Sequence, residues 1–181
     1  MNRRIIRILA LLAGLFLASL LRADPGPEIE RKGRIALADL VAHDAGFSAL
    51  LERAAGVLVV PDVVPMVFGV GGEYGEGVLL VDDRAVAYYA LFTAPFGIDQ
   101  ASEYRAHVLV FLTRQALIDF RNTQGWEVGV HGDLPLLDNA AGLPGDARGD
   151  NPDRMVGLVF TEQGIQPGID LAGGRFSRIA R

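Results

Sequence analysis

The sequence predicts an α+β fold: a single domain with a strongly curved antiparallel sheet, barrel-like or sandwich-like, with N-terminal helices and one short helix between strands. Three observations predict this fold. Two segments with helical periodicity precede a series of about seven short apolar runs of strand length, which are separated by turn residues. Among these runs lies a glycine cluster that consists of Gly69, Gly71, Gly72, Gly75 and Gly77. Glycine permits tight turns and the close approach of backbones, so the cluster indicates strong curvature.

The composition indicates one folded domain without covalent cross-links. Of the 181 residues, 50% are hydrophobic and 22% are charged, which is enough for a substantial core. The chain contains no cysteine, so disulfides, thiolate metal sites and cysteine nucleophiles are excluded. The fold must therefore be stabilised by packing.

The N-terminus has the layout of a secretory signal peptide. Arginines occupy its start, residues 8–21 form an uncharged apolar run, and Ala23 precedes a turn-like Asp-Pro-Gly-Pro segment. The run is shorter than the roughly 20 residues that a membrane-spanning helix needs, so we expect cleavage near Ala23 and a periplasmic or secreted protein. A retained anchor is the alternative. The predicted organisation is a signal peptide at 1–23, a linker and helix start at 24–33, and one domain at 34–181.

Export leaves a strongly acidic chain. Four of the 17 basic residues and none of the 22 acidic residues lie in the signal segment, so the mature chain has 13 basic residues against 22 acidic ones, a formal charge of −9. Such a surface repels nucleic acid and has no general attraction for anionic lipid. Any membrane contact is therefore expected to be local or apolar.

The first predicted helix spans residues 28–43. At 100° per residue, Ile29 and Leu40 share its apolar face, whereas Arg31 and Arg34 fall on the opposite side. The two arginines have two interpretations. They belong either to an ordinary solvated face or to a small basic patch that meets phosphate head groups.

Two further helices are predicted from their N-terminal caps. One spans residues 48–55 with Ser48 as its cap, and the other spans residues 114–122 behind Thr113. In the second of these helices, Leu117 is directed inward.

The strands are separated by recognisable turns. They are predicted at residues 57–60, 78–81, 85–92, 107–112, 126–130, 155–161 and 165–171. The first stops at Pro61, because proline cannot donate to a ladder. Residues 107–112 are apolar on both faces, as expected of a central strand. Asp82-Asp83-Arg84 and Glu162-Gln163-Gly164 provide hairpin turns.

Catalytic and metal-binding patterns are absent from the sequence. The histidines, His43, His107 and His131, lie in separate elements without zinc-site spacing. His107 begins a predicted strand and His131 ends one, which favours satisfied structural histidines. No nucleophile motif is present, so we predict no catalytic residue, no metal, no cofactor and no enzymatic activity. The loop at 145–153 is rich in oxygen ligands but lacks the alternating spacing of an EF-hand, so calcium remains a weak alternative.

The glycine cluster does not match a phosphate-binding loop. A Walker loop requires a lysine where this chain has Glu76 and Gly77, and Tyr74 occupies the last glycine position of a dinucleotide pattern. Glu73 and Glu76 would also repel a phosphate. The cluster is therefore interpreted as a device for curvature and close packing.

Several segments occur in an order that resembles the SYLF domain family. They are AAGVLVVPDVV, VGGEYGEGVL, VLVFLTRQALIDFRNTQGWEVGV and the closing GGRFSRI, so the resemblance covers residues 34–179. The residues that take signature positions are Phe68, Gly71, Gly72, Tyr74, Gly75, Gly77, Trp126, Glu127 and Gly129. The resemblance implies that these positions define the fold. The chain departs from the family pattern at Pro65-Met66-Val67, where members usually have Lys-Ala-Gly.

The resemblance implies lipid binding, and some eukaryotic members, including yeast proteins, are described as actin-binding. Arg31, Lys32 and Arg34 match the basic N-terminal segment through which members meet phosphoinositides. We therefore expect an exported protein that binds phospholipid, a membrane surface or another amphiphile. The alternative is a structural or protein-interaction module of the envelope that binds another envelope protein and no lipid.

Overall fold

The structure, a computed structural model, describes residues 25–66, 72–93, 105–139, 155–166 and 171–181. Within these ranges the chain forms helices and strands in the following order: α1 (Gly26–His43), α2 (Gly46–Arg53), β1 (Gly56–Pro65), β2 (Glu73–Val81), β3 (Arg84–Thr93), β4 (Arg105–Phe111), α3 (Arg114–Asn122), β5 (Trp126–Glu127), β6 (Met155–Thr161), β7 (Gly164–Ile165) and β8 (Arg175–Ile179). None of the helices in the described part of the chain is long and apolar enough to cross a membrane.

The strands form one eight-stranded sheet in the order β5-β8-β3-β2-β1-β4-β6-β7. Every pairing is antiparallel, and the sheet curls into a half-barrel. The predicted α+β fold with a curved antiparallel sheet, N-terminal helices and a short helix between strands is therefore confirmed. The apolar run that was predicted to be central forms β4, which lies between β1 and β6.

The sheet separates two apolar cores, because neighbouring residues of a strand point to opposite faces. The α3 face carries Leu58, Leu79 and Leu109, which pack with Phe120 of α3 and with Trp126. The other face, the α1 face, is packed against α1 and α2. Its buried side chains include Val57, Val59, Val108, Val110, Leu40 and Phe47. Both faces of the central strands are therefore covered.

The helices agree with the prediction in their buried faces and differ in one cap. Ile29 and Leu40 are buried along α1, which begins two residues earlier than predicted. The cap of α3 is confirmed, since the Thr113 side chain accepts a hydrogen bond from the Ala116 N–H. The prediction of Ser48 as a cap was wrong. Helix α2 already begins at Gly46, whose N–H donates to the Asp44 carboxylate, and Ser48 lies within it.

Strand β1 corrects the prediction that Pro61 ends a strand. The strand continues to Pro65, and its register shifts on both sides near Pro61. Pro61 and Asp62 fall between the paired stretches, where the missing N–H of proline interrupts no ladder hydrogen bond.

Other strand boundaries differ from the sequence pattern at turns and edges. Asp82 and Asp83 both have positive φ, so the predicted hairpin turn between β2 and β3 contains two residues. Strand β5 is shorter than predicted and is bounded by Gly125 and Gly129, both with positive φ. Strand β7 is also short, and β8 was not predicted as a strand.

The glycines of β2 bring this strand close to β1. A Cβ atom on Gly77 would lie 2.3 Å from the carbonyl oxygen of Val59, and one on Gly75 would lie 2.6 Å from the Val60 side chain. Backbone and buried valines therefore occupy the space that side chains would need. This contact supports the interpretation of the glycine cluster as a device for close packing.

We expect the Gly77→Ala substitution to lower the free energy of unfolding by about 2 kcal/mol or more, because a methyl group has no room beside the β1 backbone. Urea unfolding measures this change. Val86→Ala is the control, since Val86 lies on the neighbouring strand and is 37% exposed, and it should change stability by about 0.5 kcal/mol at most. Equal stability of the Gly77 variant and the wild type would show that this glycine is not required.

Candidate functional site

The basic residues that were predicted to contact lipid each lie beside a carboxylate. Arg31 contacts Glu28 at 2.5 Å, Lys32 contacts Asp62 at 2.9 Å, and Arg34 contacts Glu30 at 3.0 Å. Arg34 also bonds to Asp83 in the turn between β2 and β3. Four carboxylates thus surround three cations.

This pairing changes the electrostatic character of the predicted patch. The hydrogen bond from Arg31 lowers the pKa of Glu28, so this acid stays ionised beside its partner. The outward field of the three cations is offset by their neighbours, and exposed pairs of this kind are screened further by salt. The polar face of α1 therefore offers little net positive charge to a phosphate head group.

A groove of about 520 Å³ lies beside α1, where this helix passes over the ends of β1, β4 and β6. It is lined by Lys32, Ile35, Ala36, Asp39, Ala42, His43, Pro61, Asp62, Ala106, Phe160, Thr161 and Glu162. Apolar side chains form its floor, whereas charged groups of both signs form its rim. Ile35 is 48% exposed within it. We call this feature the α1 groove.

A second pocket, of about 420 Å³, lies between the end of α3 and β8. It is lined by Tyr89, Arg121, Asn122, Thr123, Gln124, Gly125, Arg175, Ser177 and Arg178. Within the described residues, no carboxylate lies within 4.0 Å of its three guanidinium groups. We call it the arginine pocket, and its chemistry differs from that of the paired cations on α1.

A buried polar cluster occupies the α3 face near the ends of β2 and β4. Arg105 contacts the Glu73 carboxylate at 3.3 Å, and the Glu73 N–H donates to the Thr93 hydroxyl. His107 is fully buried, and neither of its ring nitrogens has a hydrogen-bond partner among the described residues. Its Nε2 lies 3.9 Å from Glu73, which is too long for a hydrogen bond.

Burial, together with the nearby charge of Arg105, lowers the pKa of His107 to about 3. The imidazole is therefore neutral at physiological pH, and its approach to Glu73 is not an ion pair. The prediction that His107 is a satisfied structural histidine is wrong within the described residues, because neither ring nitrogen is hydrogen-bonded there. Burying two ring nitrogens without hydrogen bonds lowers the free energy of unfolding.

The first group of signature residues includes Tyr74, which contacts the neighbouring strand β3. The Tyr74 hydroxyl donates to Glu76, and its ring packs against Phe92 with centroids 4.9 Å apart. Burial raises the pKa of Tyr74 to about 12, with Glu76 acting in the same direction, so the hydroxyl stays protonated. Arg181 also pairs with Glu76. Gly72 has positive φ, whereas Phe68 and Gly71 lie outside the described residues.

The second group lies around β5. Trp126 is buried against Phe120 and Phe176 in the aromatic part of the core. The Glu127 N–H donates to the His131 ring, and Gly129 supplies the positive φ of the intervening turn. These contacts stabilise the fold and leave no obvious ligand-binding role to this group.

The described residues contain no group of three or more His, Cys, Asp or Glu side chains that could hold a metal ion. The candidate calcium loop at 145–153 lies outside the described residues, as does the predicted signal segment at 1–23.

Comparison with known proteins adds no family assignment. No protein-family model matches the chain, and no curated protein matches it. The resemblance to the SYLF family, and the lipid binding that it implies, therefore stay predictions.

Sequence reasoning missed the arginine pocket for identifiable reasons. Arg121 lies on α3, far along the chain from Arg175 and Arg178, and β8 was not predicted as a strand. The spacing of Arg175 and Arg178 also puts them on opposite faces of a strand. The short arginine-rich RFSRIAR ending was the one available signal.

We expect His107 to make folding stability depend on pH. Below about pH 6.5 the unfolded chain binds a proton that the folded chain accepts only near pH 3, so the free energy of unfolding falls as pH falls through this window. The limiting slope from this group is about 1.4 kcal/mol per pH unit. His107→Leu should remove this contribution, as measured by urea unfolding between pH 6.5 and 5.

The matched control is His43→Leu on α1, which makes the same substitution at an exposed histidine and measures the effect of the exchange itself. An identical pH dependence in wild type and His107→Leu would mean that the buried ring is protonated in the folded protein.

Proposed function

We propose that the protein is a non-enzymatic, exported lipid-binding protein of the bacterial envelope that holds a phospholipid or another amphiphile in the α1 groove. The observation that carries this proposal is the apolar floor of the groove. Its volume of about 520 Å³ falls within the range of small-molecule sites, roughly 300–1,000 Å³.

The floor of the groove is suited to a hydrocarbon chain. Ile35 and Ala42 of α1 line the groove as exposed residues, and Pro61 of β1 and the buried Phe160 of β6 line it as well. Burying apolar surface is worth about 25 cal/mol per Å², so an acyl chain laid along these side chains gains free energy from water exclusion alone. Ile35 is the residue at which much of this gain is expected, because a large fraction of its side chain is exposed to water.

The rim suits a zwitterionic head group better than an anionic one. Lys32 is paired with Asp62, while Asp39 and Glu162 add further negative charge. A head group that carries both a phosphate and an amine meets charges of both signs at this rim, whereas a purely anionic head group meets an excess of carboxylates. Binding should therefore depend weakly on salt.

The sequence resemblance implies the same class of ligand but a different binding location. It predicted that Arg31, Lys32 and Arg34 contact lipid, and of these only Lys32 lines the α1 groove. The proposal thus keeps Lys32 at the rim and assigns the affinity to apolar contact. Export rests on the pattern of residues 1–23.

We expect Ile35→Glu to weaken binding of a short-chain phosphatidylcholine, kept below its micelle concentration, by about tenfold or more. The substitution removes apolar contact and places a carboxylate against the acyl chain, and tenfold corresponds to about 1.4 kcal/mol. Isothermal titration calorimetry on the purified protein, at low and at high salt, measures the affinity.

Ile118→Glu is the matched control, because Ile118 is also a helical isoleucine with 48% exposure and lies on α3, away from the groove. It should bind as the wild type does. Equal losses in the two variants, or no binding by the wild type, would reject the groove. Failure to bind any lipid would favour the alternative, an envelope protein-interaction module that co-purifies with a protein partner.

A further inference from the structure

We infer that the arginine pocket is a second, independent binding site and that it takes a phosphate monoester. The chemistry is that of a dianionic phosphate on a small organic group, whether a soluble phosphate ester or the head group of phosphatidic acid. Three guanidinium groups line this pocket: that of Arg121 from α3, and those of Arg175 and Arg178 from β8.

The topology explains how these side chains meet. Strand β8 pairs with β3 along residues 175–179, but on its other edge β5 covers only Arg175 and Phe176. The edge of β8 is therefore open from Ser177 onward. The end of α3 and the turn at 123–125 stand beside this open edge and bring Arg121 to it.

Tyr89 marks the inner wall of the pocket. Burial raises the pKa of its hydroxyl, while Arg178 and Arg121 oppose the shift. The two guanidinium groups are therefore close enough to the phenol to act on it, although they belong to different elements. The Tyr89 hydroxyl is an uncharged hydrogen-bond donor, and the two guanidinium groups near it carry permanent positive charges.

Arg175 forms the opposite wall. A Cβ atom on Gly125 would lie 2.6 Å from the Arg175 guanidinium, so this side chain lies directly against the turn. Gly125 has a φ of 68°, a left-handed conformation that favours glycine. The turn thus restricts where the Arg175 guanidinium can lie, and the Thr123 and Ser177 hydroxyls line the space beside it.

The charges of the pocket are not balanced by the residues that the structure describes. Some cations elsewhere in the fold contact carboxylates, as Arg34 does with Glu30 and as Arg105 does with Glu73, whereas Arg53 bonds to a backbone carbonyl. Among the described residues, no carboxylate comes within 4.0 Å of the pocket guanidinium groups, although Glu127 is the register partner of Arg175. Guanidinium forks match phosphate oxygens, and a dianion balances more of this charge than a carboxylate does.

The size of the pocket indicates an ester. A volume of about 420 Å³ exceeds what inorganic phosphate needs and lies within the range of small-molecule sites. The hydroxyl and amide groups of the lining suit a polar substituent such as glycerol. The α1 groove is lined by other elements, so the two sites can be tested separately.

The test measures binding of glycerol 3-phosphate by calorimetry, and co-sedimentation with phosphatidylcholine vesicles that contain or lack phosphatidic acid. We expect saturable binding of a phosphate monoester in at least one arm. Arg121→Gln and Arg178→Gln should each weaken it about tenfold or more, as expected for the loss of a charge-assisted hydrogen bond. Arg178→Lys keeps the charge but loses the fork, so it should restore only part of the affinity.

Arg53→Gln is the control, because it removes the same charge from an exposed arginine on α2. It should leave binding unchanged. Binding of glycerol 3-phosphate identifies a soluble ester as sufficient, whereas binding only to vesicles with phosphatidic acid identifies the lipid head group. Absence of binding in both arms, or equal losses in the control and the pocket variants, would overturn the proposal, provided that circular dichroism shows all variants folded.

Discussion

The close contact between β1 and β2 is the constraint on which the rest of the structure depends. Gly75 and Gly77 leave no side chain between the strands, so Val60 and the Val59 backbone fill the space. The register of β1 shifts at the same level, around Pro61. This shift turns Pro61 and Asp62 toward α1, where both line the α1 groove and Asp62 pairs with Lys32. Packing of the sheet thus determines the wall of the proposed lipid site.

The sequence was sufficient for elements whose local signals agree with their tertiary environment. Helix α3 has a capping threonine, a short amphipathic run and a buried face, and its predicted bounds match those observed. The apolar periodicity of α1 likewise predicted which side chains are buried. Strand β4 was recognisable as central because it is apolar on both faces. In these segments one pattern serves both local structure and packing.

The errors arose where tertiary contacts override local rules. Proline normally ends a central strand, but the register shift in β1 accommodates Pro61 without the loss of a ladder hydrogen bond. Strand β8 has a largely polar sequence without regular alternation, and its pairing with β3 is what makes it a strand. The acidic partners of the predicted basic patch were also not predicted, because Asp62 and Asp83, which pair with Lys32 and Arg34, are distant in sequence.

The buried cluster and the arginine pocket differ in whether their charged groups are paired with other groups of the protein. Arg105 lies in the interior, where an unpaired cation would be costly, and Glu73 is beside it. His107, which has no hydrogen-bond partner among the described residues, is held neutral by burial. At the pocket the cations stay hydrated, so they need no internal partner and their charge remains available to a ligand. A mature chain with a formal charge of −9 has many carboxylates with which to balance them.

Protection of an open sheet edge is an alternative explanation for the arginines of β8, since charged side chains on edge strands oppose pairing with another chain. That role accounts for Arg175 and Arg178, which lie on the edge strand itself. It does not account for Arg121, which lines the same pocket from α3 together with Tyr89 of β3. Edge protection requires charged side chains that point into solvent, whereas a binding site requires charged side chains that line one pocket. The geometry of this pocket is convergent, which favours a ligand as the partner of its arginines.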